Sequence, residues 1–235
     1  MRTRAVSYVA LTVLLAAGCA GTRRPQVHLL SKLRPDPGSK PEACVVDSSG
    51  AWLCTFPEFV VHVRHVDDEV LNKAFPEVSY RGAGSANPFT YGNWVDPELG
   101  YVPPRFTAFK VDVENRGTGR VRAAVGEAYL RTDRGDSLAS LGVTELADRY
   151  SVDWPGQEKL VSTARNLAEK SLLSEAWIAR GQRGSGYVVF TYRDPAVYRV
   201  QLHLPVVVEG DAGSDTVTVR VGFKQKLERV DYPAK

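Results

Sequence analysis

The sequence predicts a mainly β fold, an antiparallel two-sheet sandwich with an α-helical insertion at about residues 140–180. Three observations predict it. At least six short runs alternate apolar and polar residues with a period of two, so each must bury one face. Helical spacing is confined to the stretch between Arg134 and Gly186. Two cysteines, Cys44 and Cys54, flank a short loop as a hairpin would place them. Strands with one apolar face each are buried most economically by packing two sheets against one another. An α+β layer, with the long helix lying across one sheet, is the alternative arrangement.

The first element is the cysteine hairpin. A three-residue loop Ser48-Ser49-Gly50, with glycine where φ must be positive, pairs Asp47 with Ala51 and sets Cys44 opposite Cys54. Opposed residues of an antiparallel pair bring Cβ atoms within disulfide reach. A redox or metal pair would need Cys-x-x-Cys or further ligands, and neither is present. Phe59, Val61 and Val63 then alternate with Val60, His62 and Arg64. Phe109, Val111 and Val113 alternate with Lys110, Asp112 and Glu114, and after the turn Asn115 to Gly119 the pattern resumes at Val121, Ala123 and Val125, predicting a hairpin. Leu160, Val161, Ala164, Leu167, Ala168 and Leu172 recur at helical spacing behind Asp153-Trp154-Pro155, where Asp153 is a candidate cap. A shorter helix is expected over Thr144 to Tyr150, both helices closing an open end or covering a sheet edge. Tyr187 to Tyr192 is apolar on both faces, as an interior strand would be. Val200, Leu202 and Leu204, then Val217, Val219, Val221 and Phe223, complete the set of alternating strands.

The rhythm from Thr107 to Asn115, the glycine turn after it and the later Gly186-Tyr187-Val188-Val189-Phe190 strand resemble the immunoglobulin-like sandwiches of uncharacterised bacterial lipoproteins. That resemblance spans Phe106 to Leu227 and implies a fold without an activity.

The N-terminus carries an address. Arg2 and Arg4 precede an apolar stretch from Ala5 to Ala17, of signal-peptide length and too short for a membrane span. Small residues Ala16, Ala17 and Gly18 lead directly to Cys19. This segment resembles the lipobox of bacterial lipoproteins, with Leu15 one position further from the cysteine than is commonest and Ala16 in its place. The resemblance implies cleavage after residue 18, acylation of Cys19 and, because Ala20 rather than aspartate follows, delivery to the outer membrane, with the domain facing the periplasm. Acyl chains contribute about 0.8 kcal/mol per buried CH₂, enough for two or three to hold a domain on a bilayer. Gly21 to Pro41 contains Pro25, Pro35, Pro37 and Pro41 without periodicity, so residues 19–42 are expected to form an extended tether and residues 43–235 the folded domain. Within the tether, Val27 to Leu30 could instead lie along the domain as an edge strand.

Composition narrows function. With 30 basic and 27 acidic side chains the formal charge is +3, and loss of Arg2 and Arg4 with the signal leaves the mature chain nearly neutral. No basic stripe is present to steer nucleic acid. At 43% hydrophobic over 235 residues, one core of ordinary size can be buried.

Chemical signatures are sparse. His62 and His65 lie three apart on a strand, hence on opposite faces, and do not make a shared metal site. The glycines from Gly181 to Gly186 precede a strand and lack the lysine of a phosphate loop. No nucleophile elbow or ordered triad is visible, and carboxylates such as Asp67 and Asp68 are not shown by spacing to face one another, so the sequence assigns no catalytic activity, cofactor or metal. The segment Asn87 to Phe106 stands apart, a long Gly- and Pro-rich connection carrying aromatic rings beside amides. Phe89, Tyr91, Asn93, Trp94 and Tyr101 are its candidate binding residues, suited to a partner protein or a sugar face. The expected role is therefore binding of another envelope component. A small-ligand or glycan-binding module is the alternative, and a hydrolase with unrecognised carboxylates a third.

Overall fold

The computed structural model describes residues 26–39, 41–210 and 213–232, so the expected signal peptide, the expected acylation site Cys19 and the start of the expected tether lie outside the described residues. Two antiparallel sheets form a sandwich. In chain order the strands are β1 (Gln26–Pro35), β2 (Cys44–Val46), β3 (Trp52–Thr55), β4 (Phe59–Val66), β5 (Phe106–Asn115), β6 (Arg120–Ala123), β7 (Tyr129–Thr132), β8 (Ser137–Ala139), β9 (Arg183–Thr191), β10 (Arg199–Gly210) and β11 (Gly213–Tyr232). One sheet runs β1-β11-β10-β7-β8, with β6 also paired to β10, and the other runs β2-β3-β4-β5-β9. Between β4 and β5 lie helices α1 (Asp68–Ala74) and α2 (Pro76–Ser79). Between β8 and β9 lie α3 (Val143–Asp153) and α4 (Glu158–Ser171).

The alternation of the sequence becomes the main core. Val61, Val63, Val111 and Val113 of one sheet meet Leu202, Leu204, Val219 and Val221 of the other, all buried. Phe109 packs 4.9 Å from Phe223 and 6.0 Å from Phe190, centroid to centroid. The cysteine hairpin forms as expected. Asp47 N–H donates to the Ala51 carbonyl at 2.9 Å, Gly50 adopts φ 75°, and Cys44 and Cys54 face one another and are disulfide-bonded.

A second core lies on the outer face of the β2–β9 sheet. Val66, Ala108 and Val189 point away from the sandwich interior and pack with Leu146 and Tyr150 of α3 and Ala164 and Ala168 of α4. Burying one such leucine contributes about 2–3 kcal/mol. The helical insertion thus covers a sheet face, as in the α+β alternative, rather than an open end. Its flanking segments also protect the β9 edge, where Leu141 N–H donates to the Val189 carbonyl at 2.8 Å and Leu173 N–H to the Tyr187 carbonyl at 2.9 Å.

Several expectations are corrected. β9 is apolar on both faces because helices cover its outer side, and it is an edge strand of its sheet rather than an interior one. β5 and β6 do not form a hairpin, since β5 pairs with β4 and β9 whereas β6 pairs with β10 in the opposite sheet. The Asn115 amide, which donates to the Gly119 carbonyl at 2.9 Å and the Ile178 carbonyl at 2.8 Å, fixes that crossing. Asp153 ends α3 instead of capping α4, which begins after Gln157. The tether expected over residues 19–42 does not hold from residue 26 onward, where the alternative of an edge strand at Val27 to Leu30 does. From Gln26 onward the chain is an edge strand on β11 that buries Leu33, ends at Pro35 and is fastened where Asp36 N–H donates to the Gly222 carbonyl at 2.9 Å.

Candidate binding cleft

The aromatic segment is built from a buried amide outward. Asn87 has no exposed surface, and its Nδ2 donates to Ser79 Oγ at 2.8 Å and to the Leu71 carbonyl at 3.3 Å, while its Oδ1 accepts from the Phe89 and Thr90 amides. That side chain binds the segment to α1 and α2 and turns the chain so that Phe89 enters the second core. There the Phe89 ring lies 5.1 Å from Tyr187 and 5.7 Å from Phe75. Of the candidate binding residues, Phe89 is therefore core.

Gly92 then reverses the chain at φ 63°, in a position where a Cβ would fall 2.1 Å from the Ser79 carbonyl oxygen. Only glycine fits both constraints. The reversal places Tyr91 and Trp94 edge to face at 5.7 Å. Asn93 is used locally, its Oδ1 accepting from Gly82 N–H at 2.7 Å. The Tyr101 carbonyl accepts from Asp96 N–H at 3.0 Å and closes the next turn, and Tyr101 is not part of the cleft lining.

Tyr91 and Trp94 form one wall of a cleft of about 200 Å³. The opposite wall is Trp154, Asp153 and Gln157, from the link between α3 and α4, and the floor is Gly82, Ala83 and Ser85. A shallower groove of about 490 Å³ continues past Tyr91 and Asp153 along α3, bordered by Glu145, Asp148 and Arg149.

Arg105 joins the two walls. Its side chain is 2% exposed, its Nε and Nη2 donate to Asp153 Oδ2 at 3.0 and 2.5 Å, and Nη1 donates to the Asn87 carbonyl at 3.3 Å. The guanidinium lies 4.5 Å from the ring centre of Trp154, 4.7 Å from Tyr150, 4.9 Å from Tyr91 and 5.4 Å from Phe106. Four ring faces and a carboxylate thus compensate one buried cation. Burial, and after it the Asp153 carboxylate, push the Tyr91 phenol above its ordinary range, keeping it a neutral hydrogen-bond donor.

The cleft offers ring faces, a carboxylate, an amide and a hydroxyl, and it needs no ionisation to bind a polar ligand with apolar faces. Of the residues that build this cleft, the sequence singles out Tyr91 and Trp94 and does not single out Arg105, Asp153, Trp154 and Gln157 as binding residues. Asp153 and Trp154 read in the sequence as the start of a helix, Gln157 carries no signal of its own, and no local pattern links the three to a segment about 60 residues earlier.

No family model and no curated protein matches the chain. Among solved structures it is similar to MPT63, a secreted protein from Mycobacterium tuberculosis, at 15% identity over 73% of this chain and 86% of that one, with a TM-score of 0.29. It is also similar to a functionally unknown protein from Listeria monocytogenes EGD-e, at 10% identity over 83% and 87% of the two chains, with a TM-score of 0.35. Function is argued below from this chain's own residues.

Proposed function

We propose that this chain is an outer-membrane lipoprotein, acylated at Cys19 and facing the periplasm, whose domain binds another envelope component without transforming it. The lipobox-like run ending at Cys19 supports the anchor. The observation that carries the binding role is the cleft, in which two half-buried aromatic rings, Tyr91 and Trp94, stay outside both cores and line an opening beside Asp153 and Gln157, with the buried Trp154 of the second core behind them. Half-buried rings in a concave site still leave apolar surface in water and gain when a ligand covers it.

A glycan is the second reading, favoured by one feature. Ring faces beside a carboxylate and an amide match the alternating C–H faces and hydroxyls of a sugar, and the cleft and its adjoining groove are concave where a protein partner would ask for a broad, flatter patch.

Two measurements test the proposal. Labelled palmitate is expected to enter the wild-type chain and not a Cys19→Ser variant. A lipid-preserving pull-down followed by mass spectrometry is expected to recover a defined envelope component that Trp94→Ala and Tyr91→Ala lose while thermal unfolding stays within a few degrees of wild type. Unchanged recovery by both variants, or a collapse of folding without change in recovery, overturns the binding role. Recovery of polysaccharide in place of protein decides for the second reading.

A further inference from the structure

The run His62 to Asp68 yields no paired histidines. His62 is on the outer face of β4, 3.8 Å from Asp47, while His65 is opposite Phe109 on the core side, its ring edge-on at 5.6 Å. His65 and Asp68 instead meet at a second cavity, of about 100 Å³, at the end of β4. Its apolar wall is Val66, Val102, Pro104 and Phe106, and its other polar groups come from Lys32 on β1, Asp67 and Glu69 at α1, and Tyr192 and the buried Arg193 after β9. It is separate from the aromatic cleft and shares only Phe106 with the adjoining groove.

Most of these charges are engaged elsewhere. Asp67 accepts from Val70 N–H at 3.0 Å and pairs with Lys32 at 3.0 Å, Lys32 also reaches Glu228 at 3.2 Å, and Glu69 pairs with Lys73 at 2.7 Å. Among the described residues, neither the His65 ring nor the Asp68 carboxyl takes part in a hydrogen bond or ion pair. With Glu69 held by Lys73 and Asp67 by Lys32, the Asp68 carboxyl and the His65 ring are the acceptors of the lining left for a ligand.

We propose that this cavity binds an alkylammonium group, the nitrogen donating to the Asp68 carboxylate and to His65, and the carbon chain lying against Phe106, Pro104 and Val66. An ammonium carries enough N–H donors to serve both acceptors at once, and the volume of about 100 Å³ matches a chain of about five heavy atoms, the space of about three waters. The titration of the two groups agrees. Burial, with Arg193 next, pushes the His65 imidazolium down to about 3, so the ring is a neutral acceptor at physiological pH. Burial, and after it Asp67, push the Asp68 carboxyl up to about 7, so a bound cation draws a proton off it.

The test is a titration of the folded domain with n-butylammonium, 1-butanol and butyrate, followed by calorimetry and by the ring resonances of His65. Butylammonium is expected to bind at pH 8 and to shift the His65 signals, to bind at least about tenfold more weakly to Asp68→Asn, and to weaken as pH falls from 8 to 6. Should Asp68→Asn not fold, the wild-type comparisons decide alone. Butanol binding as tightly as the amine, butyrate binding in its place, an affinity independent of pH between 6 and 8, or no binding of the amine overturns the assignment.

Discussion

The Arg105–Asp153 pair gives the sharpest test of how the cleft is held together. The guanidinium is buried among four rings, whereas the Asp153 side chain is 24% exposed, so the two partners are not equivalent. Replacing Asp153 with asparagine keeps the shape and one acceptor oxygen but removes the carboxylate charge that Arg105 faces, leaving a buried cation with only neutral partners, the amide oxygen, the Asn87 carbonyl and the ring faces. Breaking a buried pair in this way costs about 3–5 kcal/mol, and partial solvation of Asp153 sets the expectation near 3. Arg105→Met removes the cation, keeps an unbranched chain between the rings and leaves a carboxylate that water can reach, so it should cost less, about 1–2 kcal/mol. The double variant should be more stable than Asp153→Asn alone, a positive coupling of about 2–3 kcal/mol that exceeds the Arg105→Met cost. Urea unfolding of the four proteins measures this, and for a domain of this size about 3 kcal/mol corresponds to a melting shift of roughly 6–12 °C. Asp153→Asn costing under about 0.5 kcal/mol, or single costs that simply add, would refute the claim that the carboxylate neutralises a desolvated charge.

Three further outcomes are expected. His65 is held neutral down to about 3 while the unfolded ring takes a proton near 6.5, so it removes stability as pH falls through 6.5; Asp68 keeps its proton up to about 7 while the unfolded carboxyl loses it near 3.8, so it removes stability as pH rises over that span. Between about 4 and 6.5 the two opposed slopes, each about 1.4 kcal/mol per pH unit at full weight, offset one another. Burial holds His203 below its ordinary range as well and adds a rise in the same window, so urea midpoints should climb only modestly with pH for the wild type, climb more steeply for Asp68→Asn, and lose that rise or fall for His65→Gln. Replacing Cys44 and Cys54 with serine should lower stability by about 2–3 kcal/mol, the entropy of a loop this short, and thermal melts with and without a reductant should differ by the same amount for the wild type alone. Gly92→Ala should cost about 2 kcal/mol or more, from the positive φ and the clash with the Ser79 carbonyl, and should weaken ligand capture along with Trp94→Ala.

Period-two patterning made the main core legible before any coordinates, because burial of one strand face leaves a mark two residues long. Val61 and Val63, Val111 and Val113, and Val219 and Val221 all point inward as their alternation requires. The cysteine hairpin was legible for a similar reason, since a three-residue loop leaves one register. Alternation does not say which strands pair. Phe109 to Val113 and Val121 to Ala123 carry the same pattern whether they form a hairpin or face one another across the sandwich, and the determinant, the Asn115 amide bridging to Ile178, comes from a residue 63 positions away. Leu33 is too weak a local signal to set against four neighbouring prolines, so the sequence favours a tether and carries the edge strand, at Val27 to Leu30, only as the alternative.

β9 shows why the site was harder to read than the fold. Tyr187 and Val189 are as apolar as Val188 and Phe190, which is true both of a central strand with sheet neighbours on either side and of an edge strand roofed by helices. Only the second case exposes a place where helix, loop and sheet margin meet, and both cavities occupy such margins. The aromatic cleft joins the Tyr91–Trp94 turn to the α3–α4 link, and the smaller cavity joins the end of β4 to the start of α1 and the residues after β9. Each half of the cleft read alone has an innocent account, rings filling a loop in one case and Asp153-Trp154-Pro155 starting a helix in the other. It is Arg105, adjacent in sequence to Phe106 yet bonded to Asp153, that converts two ordinary segments into one surface. A buried arginine beside clustered aromatic residues, in a chain with a helical insertion, is therefore the sequence feature to pursue when such a site is sought, because its charge must find a carboxylate and the carboxylate marks the opposite wall.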